Sequence, residues 1–440
     1  MKWIFIAGLI VFTPAAAAFL RSHRRYLPHA CFLMGLAIFF QGGFLSVSPI
    51  FWDWPGPVQG IQVGVVDALA VALIVSTNPV RIPLAFKLAV AVLGLAILIS
   101  SFDARQLMPV GFYTWQLIRD ALVFLAIARG SAHSERAPWA LVAGLGTALA
   151  IESVWVVRQF AGGDHEPGGS LGHRNILGMT THFAVMPAFA LFLGGYRSRS
   201  AAVLLLCGAI IILLGGSRAT LGLFATGLGL VAFLSMRSRM TGRKGAVAAA
   251  AGFCILCAAP VMLWSIERRS QAELQSSDTE RGAFIDAARM IIADHPLGIG
   301  ANQYVIVANI GGYSDRAGVP WDYADRSAPV HNSYYLVTAE LGLVGLLGLL
   351  SIFGSVIWIG LRGARQNRAP TTDLLAGLVA ATIVLMVHIA FEWVFELAVV
   401  QFLTAAAFGA IIGIAAPARP RRAPRPRPVS VAADAGMSYG

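Results

Sequence analysis

Charge is what this 440-residue chain has least of: Asp, Glu, Lys and Arg together make up 12 % of it, against about 25 % in a soluble globular protein. A chain with a mean hydropathy of +0.71 cannot cover a water-facing surface of ordinary chemistry. Its apolar residues fall in continuous runs of about 20, the length that crosses a bilayer as a helix. A membrane β-barrel would alternate apolar and polar residues over ten-residue segments, and stretches such as 201–216 exclude that class. Lysine is scarce as well, three residues among 33 basic ones. The net charge of +11 is therefore almost all arginine, scattered through short loops rather than gathered into a phosphate-tracking stripe, which argues against nucleic acid as a partner. Only four cysteines occur. Cys31, Cys207, Cys254 and Cys257 all lie within apolar runs and read as buried packing, the Cys254/Cys257 spacing included, with no disulfide or metal role. The fold class that remains is an all-α polytopic membrane protein.

About thirteen apolar segments span the chain: 3–20, 30–49, 61–76, 82–101, 110–128, 139–160, 176–195, 200–216, 219–236, 246–266, 333–361, 374–392 and 397–415. The basic residues occupy alternate connections: Arg21, Arg24 and Arg25, then Arg81, Arg129 and Arg136, Arg197 and Arg199, Arg237 to Lys244, and Arg362 to Arg368. Short loops rich in arginine stay cytoplasmic, so the first segment is expected to start outside the membrane and the C-terminus to end inside. A cleaved signal peptide is the rival reading of residues 1–18, disfavoured because it would place Arg21, Arg24 and Arg25 outside. Three regions are expected: helices over 1–150, a second transmembrane domain over 151–416 that includes an external loop at 267–332, and a disordered Arg/Pro-rich cytoplasmic tail at 417–440.

The loop 267–332 carries nine acidic residues and six Arg, and its portion around Gly282 to Ile292 has helical amphipathicity suited to lying near a membrane surface. Pro296, Gly298 and Gly300 should end that helix. Three other features share this face: the glycine-rich loop Gly162 to Asn175, the turn Gly215-Gly216-Ser217-Arg218, and Arg158 near the end of its segment. A charge at membrane depth is costly and marks function by default. Arginine grips a diphosphate through paired charge-assisted hydrogen bonds, and histidine can take a proton near neutral pH. Arg158, Arg174, Arg218 and Arg281 with His331 thus point to group transfer from a lipid diphosphate. Asp67, Lys87, Arg119 and Asp120 lie inside the bilayer and read as internal partners. His388, Glu392 and Glu396 are spaced as a helical stripe that could line an acceptor groove, too few and too generic for a metal site.

Four of these elements together resemble a known family. Gly215 to Leu221 looks like the Ser-Arg signature of bacterial O-antigen ligases and O-antigen polymerases, and Asp294-His295-Pro296-Leu297-Gly298-Ile299-Gly300 is similar to their His-Pro-x-x-Gly-x-Gly element. His331-Asn332-Ser333-Tyr334-Tyr335 with Glu340 to Gly345 resembles their most recognisable motif, and Gly172-His173-Arg174-Asn175 their Gly-x-x-Asn element. The resemblance covers roughly 150–400. It implies a GT-C-like, inner-membrane glycosyltransferase with its active site facing the periplasm, transferring a glycan from undecaprenyl diphosphate to an acceptor hydroxyl with inversion and with neither metal nor cofactor. It further implies His331 as the base, Arg218 and Arg281 as donor diphosphate ligands with Arg174 and Arg158 beside them, and Asn332, Glu340, His388 and Glu392 on the acceptor side or in support. A ligase would pass the glycan to lipid A core or a protein, whereas a polymerase would pass it to another lipid-linked glycan. A lipid-linked glycan transporter, with polar residues through the full membrane depth, and a non-catalytic assembly subunit are the readings outside this family's chemistry.

Overall fold

The computed structural model describes residues 1–267 and 271–415, with the backbone alone at 44, 258–267, 271–278 and 323. The tail 417–440, expected to be disordered, lies outside the described residues. Because a bilayer leaves no water to satisfy backbone groups, the apolar runs close their hydrogen bonds internally as helices. In chain order these are α1 (Lys2–Ser22), α2 (Leu27–Phe39), α3 (Val65–Ser76), α4 (Leu84–Ser100), α5 (Leu107–His133), α6 (Ala137–Ala161), α7 (Arg174–Gly194), α8 (Ser198–Gly215), α9 (Arg218–Ser238) and α10 (Gly242–Glu267). The polar segment contributes α11 (Gln271–Asp294), α12 (Tyr304–Ile310), α13 (Tyr313–Arg316) and α14 (Tyr323–Ser327), and the last three long helices are α15 (Ser333–Gln366), α16 (Thr371–His388) and α17 (Ala398–Ala415). Among the described residues ten helices are long and apolar enough to cross a membrane. The protein is an all-α polytopic membrane protein.

The count of thirteen is corrected at two places. The second and third apolar segments do not run as full-length helices: α2 ends at Phe39 and α3 begins at Val65. Between them an antiparallel hairpin pairs β1 (Ser46–Phe51) with β2 (Gly60–Gly64), Val47 opposite Val63 and Ile50 opposite Ile61, with an irregularity at Ser48-Pro49. Gly42-Gly43 breaks the helix, the β-branched residues suit the pleat, and Pro49, lacking an N–H, falls where the ladder slips. Hydropathy alone does not separate such a strand from a buried helix. The remaining segment is α10, whose 26 residues carry Cys254 and Cys257 exposed on their surface, not buried as expected.

α7, α16 and α17 form the centre, buried along most of their length, and α1, α4 and α8 lie at the periphery. With lipid as apolar as leucine, helices associate through close packing of small residues. A Cβ on Gly35 of α2 would meet Leu141 O of α6 at 2.6 Å, one on Gly409 of α17 would meet Phe124 O of α5 at 2.5 Å, and one on Gly377 of α16 would meet Pro187 Cα of α7 at 2.5 Å. Two ion pairs lie within the bundle, while Asp120, expected as an internal partner, keeps a buried Oδ1 without a hydrogen bond. Arg119 donates to Asp67 at 2.9 Å while its guanidinium lies 4.8 Å from the Phe402 ring centre, as expected. Lys87, expected as an internal partner, is instead exposed on the first turn of α4, where its long stem can carry the ammonium out to the headgroups.

At the bundle's other end Lys244 donates to Asp373 at 2.6 Å and Ser235 Oγ donates to the same carboxylate oxygen at 2.6 Å, all three buried. Asp373→Ala strands an ammonium among α7, α9 and α16. The expected loss is about 3–5 kcal/mol, read as a lowered unfolding midpoint in detergent, with Asp373→Ala/Lys244→Met recovering most of it.

The polar segment folds around its own core. Phe284, Ala287, Ala288 and Ile291, spaced i, i+3, i+4 and i+7 on α11, pack with Ile299, Tyr304, Val305, Tyr313, Val319, Val330 and Leu336. The amphipathic face expected at a membrane surface is therefore spent on this core, between α11, α12, α13 and the first turn of α15.

Candidate active site

The glycine-rich elements of the sequence fold as interlocking supports. α15 breaks at Gly342, whose backbone sits at φ 68°, ψ −176°. That break frees two carbonyls of the helix: Ala339 O accepts from Ile299 N at 3.0 Å and Glu340 O from Gly300 N at 2.9 Å. Gly298 and Gly342 press against each other's backbone, so a Cβ on Gly298 would lie 2.6 Å from Gly342 N and one on Gly342 2.7 Å from Leu297 C. The Glu340 carboxylate then accepts from Asn302 N at 2.6 Å and Tyr304 N at 2.9 Å. Asn302 in turn holds the hairpin loop, its carbonyl accepting from Trp54 Nε1 at 2.6 Å and its Nδ2 donating to Val58 O at 2.7 Å. The His-Pro-x-x-Gly-x-Gly element and the Glu-x-Gly of α15 are thus one clamp, and Glu340 is its buried staple.

A second set of contacts shapes the loop before α7. Glu152 of α6 accepts from Ser170 N at 2.8 Å and from Ser170 Oγ. Gln159 accepts from Gly169 N at 2.8 Å and donates to Gly169 O at 3.0 Å. Gly169, at φ 62°, leaves no space for a Cβ beside Glu152. The loop thereby delivers His173 as the cap of α7, its Nδ1 accepting from Asn175 N at 3.2 Å, with Arg174 and Asn175 on the first turn. The α8–α9 turn abuts this loop: a Cβ on Gly215 would be 3.8 Å from Arg174 Cβ. Ser217 caps α9 through Thr220 N, and Arg218 stands exposed at its first position, without a side-chain hydrogen bond or ion pair among the described residues.

These supports converge on Glu392, which lies between α16 and α17. Its buried carboxylate accepts from Asn175 Nδ2 at 2.6 Å and lies 3.8 Å from the Arg281 guanidinium of α11. Burial pushes its carboxyl up to about 7, against the pull of Arg281, the Asn175 hydrogen bond and Arg174. Arg174 pairs with Glu166. His331 stands on the same floor, its ring 5.3 Å from Phe284 and its Nδ1 buried without a hydrogen-bond partner. Burial, then the charges of Arg281 and His173, push it down to about 4, so the imidazole is neutral at physiological pH. Asn332 caps α15 through Tyr334 N and Tyr335 N and donates to Ala390 O at 2.8 Å, while Ser333 Oγ donates to Glu392 O at 2.7 Å. The backbone around Glu392 is therefore tied to the His331 turn.

Of the residues singled out in the sequence, Arg174, Arg281, His331 and Glu392 come together, with Arg218 on the adjoining turn. Arg158 does not join them: it is exposed on α6, 5.6 Å from the Trp155 ring centre. Asn332 and Glu340 support the site from behind. The His388, Glu392, Glu396 stripe does not exist as a helical face, because α16 ends at His388 and the chain turns. His388 is buried against His182 of α7, with Nδ1 3.3 Å from Nε2, while Glu396 is buried without a partner for Oε2. Sequence reasoning passed over Asn175, Phe284 and Glu152. Asn175 lay within the quoted Gly-His-Arg-Asn element, but Glu152 carried no signal beyond being an acid in an apolar helix.

Residues 183–350 match the family model described as O-antigen ligase. The match takes in Arg218, Arg281, the whole clamp and His331, and leaves Arg174, Asn175 and Glu392 on either side of it. No curated protein matches the chain.

Proposed function

We propose that this chain, which over residues 183–350 belongs to the O-antigen ligase family, moves a glycan from a polyprenyl diphosphate, undecaprenyl diphosphate in a bacterial inner membrane, to an acceptor hydroxyl at the periplasmic face. The observation that carries the reading is the gathering of Arg281, Arg174 and Asn175 around Glu392, beside a neutral histidine, with the exposed Arg218 on the turn that abuts the Arg174 loop. A leaving diphosphate needs its growing charge neutralised, and fixed guanidinium groups in a partly dry site do that without reorganising. The acceptor oxygen attacks the anomeric carbon from the face opposite the glycosyl–phosphate bond. That bond breaks as the new glycosidic bond forms, polyprenyl diphosphate departs, and the hydroxyl proton passes to the His331 imidazole. One displacement inverts the anomeric centre. Two catalytic carboxylates, as in glycoside hydrolases, have no counterpart in this scheme. Region 151–416 is the catalytic unit in this reading, and the arginine-rich connections face the cytoplasm.

Surface polysaccharide and lipopolysaccharide from a deletion strain, complemented with wild type or His331→Ala and resolved on gels, test the proposal. Full-length lipid-linked chains that never reach lipid A core identify a ligase, and single unpolymerised repeats identify a polymerase. An unchanged profile with a well-expressed His331→Ala protein removes His331 as the base, and an unchanged profile with Glu392→Gln as well sinks the catalytic reading and favours transport or assembly. In the same assay Arg218→Ala is expected to abolish product and Arg218→Lys to restore only part of it, because an ammonium cannot form the paired hydrogen bonds of a guanidinium.

The pH profile carries a further expectation. Glu392 is half protonated near pH 7, and its carboxylate competes with the donor for Arg281. As pH falls through about 7, protonation removes that competitor, so kcat/KM for the donor rises. It then falls as His331 gains its proton near pH 4. Glu392→Gln should abolish the upper inflection and keep the lower one, measured as initial rates between pH 4 and 9.

A further inference from the structure

Trp321 is an anomaly in this fold. It belongs to the polar segment, yet 82 % of its surface is exposed. Only one face of the indole is covered: the Arg326 guanidinium lies 4.1 Å from the ring centre. That guanidinium is fixed from below, donating to Pro320 O at 3.0 Å, Val319 O at 2.7 Å and Asn309 Oδ1 at 3.4 Å, and pairing with Asp315 at 2.7 Å. Asn309 answers by donating to Arg326 O at 2.7 Å. The indole therefore rests on a rigid cationic base and turns its other face to solvent. A side chain already held in place loses little entropy on binding. Asp322, the next residue, is exposed, and its carboxylate caps α14 by accepting from Asp325 N at 2.9 Å through Oδ1.

We infer that Trp321, backed by Arg326 and flanked by Asp322, is a stacking subsite for a pyranose unit of the glycan substrate, outside the diphosphate pocket. The C–H face of a pyranose is apolar and meets an aromatic face well, while its hydroxyls find acceptors in carboxylates at the rim. The exposed carboxylate of Asp322, adjacent to Trp321 in the chain, favours a hydroxyl-bearing ligand over a purely apolar one. The inference rests on the glycosyl-transfer reading for the identity of the ligand and extends it to residues that touch no reacting atom.

The test uses full-length protein purified in detergent and, as probe, oligosaccharides of one to a few repeats released by mild acid from the surface polysaccharide of the strain that encodes it. Trp321→Ala is expected to weaken binding about tenfold by calorimetry, and Trp321→Phe, which keeps an aromatic face, to stay within about threefold of wild type. In a transfer assay Trp321→Ala should raise the acceptor or donor KM with kcat unchanged. Melting curves equal to wild type show that the variants fold. Equal affinity in wild type and Trp321→Ala, or no binding to wild type, overturns the subsite. If Trp321→Ala instead loses retention by phosphatidylglycerol vesicles with glycan affinity intact, the residue is a membrane anchor and the inference is wrong. Binding that depends on Trp321 in a protein without transferase activity would uphold the platform and defeat the catalytic reading, so the two fail separately.

Discussion

His331→Ala is expected to lower kcat for transfer from a polyprenyl-diphosphate-linked glycan by about 10²- to 10⁴-fold, the range removed with a general base, while leaving the unfolding midpoint near that of wild type. The two parts of this expectation come from different features of the residue. His331 lies against Phe284 but makes no hydrogen bond through Nδ1, so its removal breaks no polar network. Its imidazole is also neutral and, among the described residues, is engaged with no cation. Glu392, the other basic group at the site, is occupied by Asn175 and Arg281. Steady-state rates with purified protein, paired with melting curves, separate the outcomes. If His331→Ala keeps normal kcat, Glu392 becomes the candidate base, and Glu392→Gln should then be the inactive variant.

Substitution in the clamp should behave in the opposite way, destroying stability and activity together. Gly342→Ala places a methyl group 2.8 Å from Pro296 O at a backbone conformation of φ 68°, ψ −176°, a region essentially reserved for glycine. Strain of about 1–3 kcal/mol and overpacking of similar size should lower the unfolding midpoint sharply. Glu340→Ala removes the acceptor of both Asn302 N and Tyr304 N, leaving two buried donors unmet at about 1–3 kcal/mol each. Glu340→Gln can satisfy only one of them and should fall between. Thermal unfolding in detergent reads all three. A Glu340→Ala protein that melts like wild type yet fails in transfer would show that Glu340 acts on substrate and not as a support.

The contrast between His331 and Glu340 explains how far function was legible in the chain. Both belong to one sequence motif nine residues apart, and motif membership assigns them the same importance. Only the fold separates a side chain that faces the open floor from one that closes on backbone N–H groups. Arg158 illustrates the same limit from the other side. It has the residue type and membrane depth of a donor ligand, yet helical periodicity turns it to the outer surface of α6 beside Trp155. The supposed stripe of His388, Glu392 and Glu396 assumed that α16 continues. Its end at His388 sends the three side chains to different neighbours, and only Glu392 reaches the site.

The helical membrane class, the alternation of basic connections and the existence of one long polar segment with an amphipathic helix were determined by the sequence alone. Each follows from a local or additive property: the hydropathy of about twenty consecutive residues, the excess of arginine in a short loop, the 3.6-residue period of α11. Tertiary structure decided the rest, because it depends on pairs distant along the chain. The hairpin at 46–64 owes its place to Asn302, the turn at Gly298 exists against the break at Gly342, and Glu392 gains its meaning from Asn175 and Arg281. A backbone hydrogen bond or a buried charge is stable only when its partner is present, and no single segment of this sequence carries both members of those pairs.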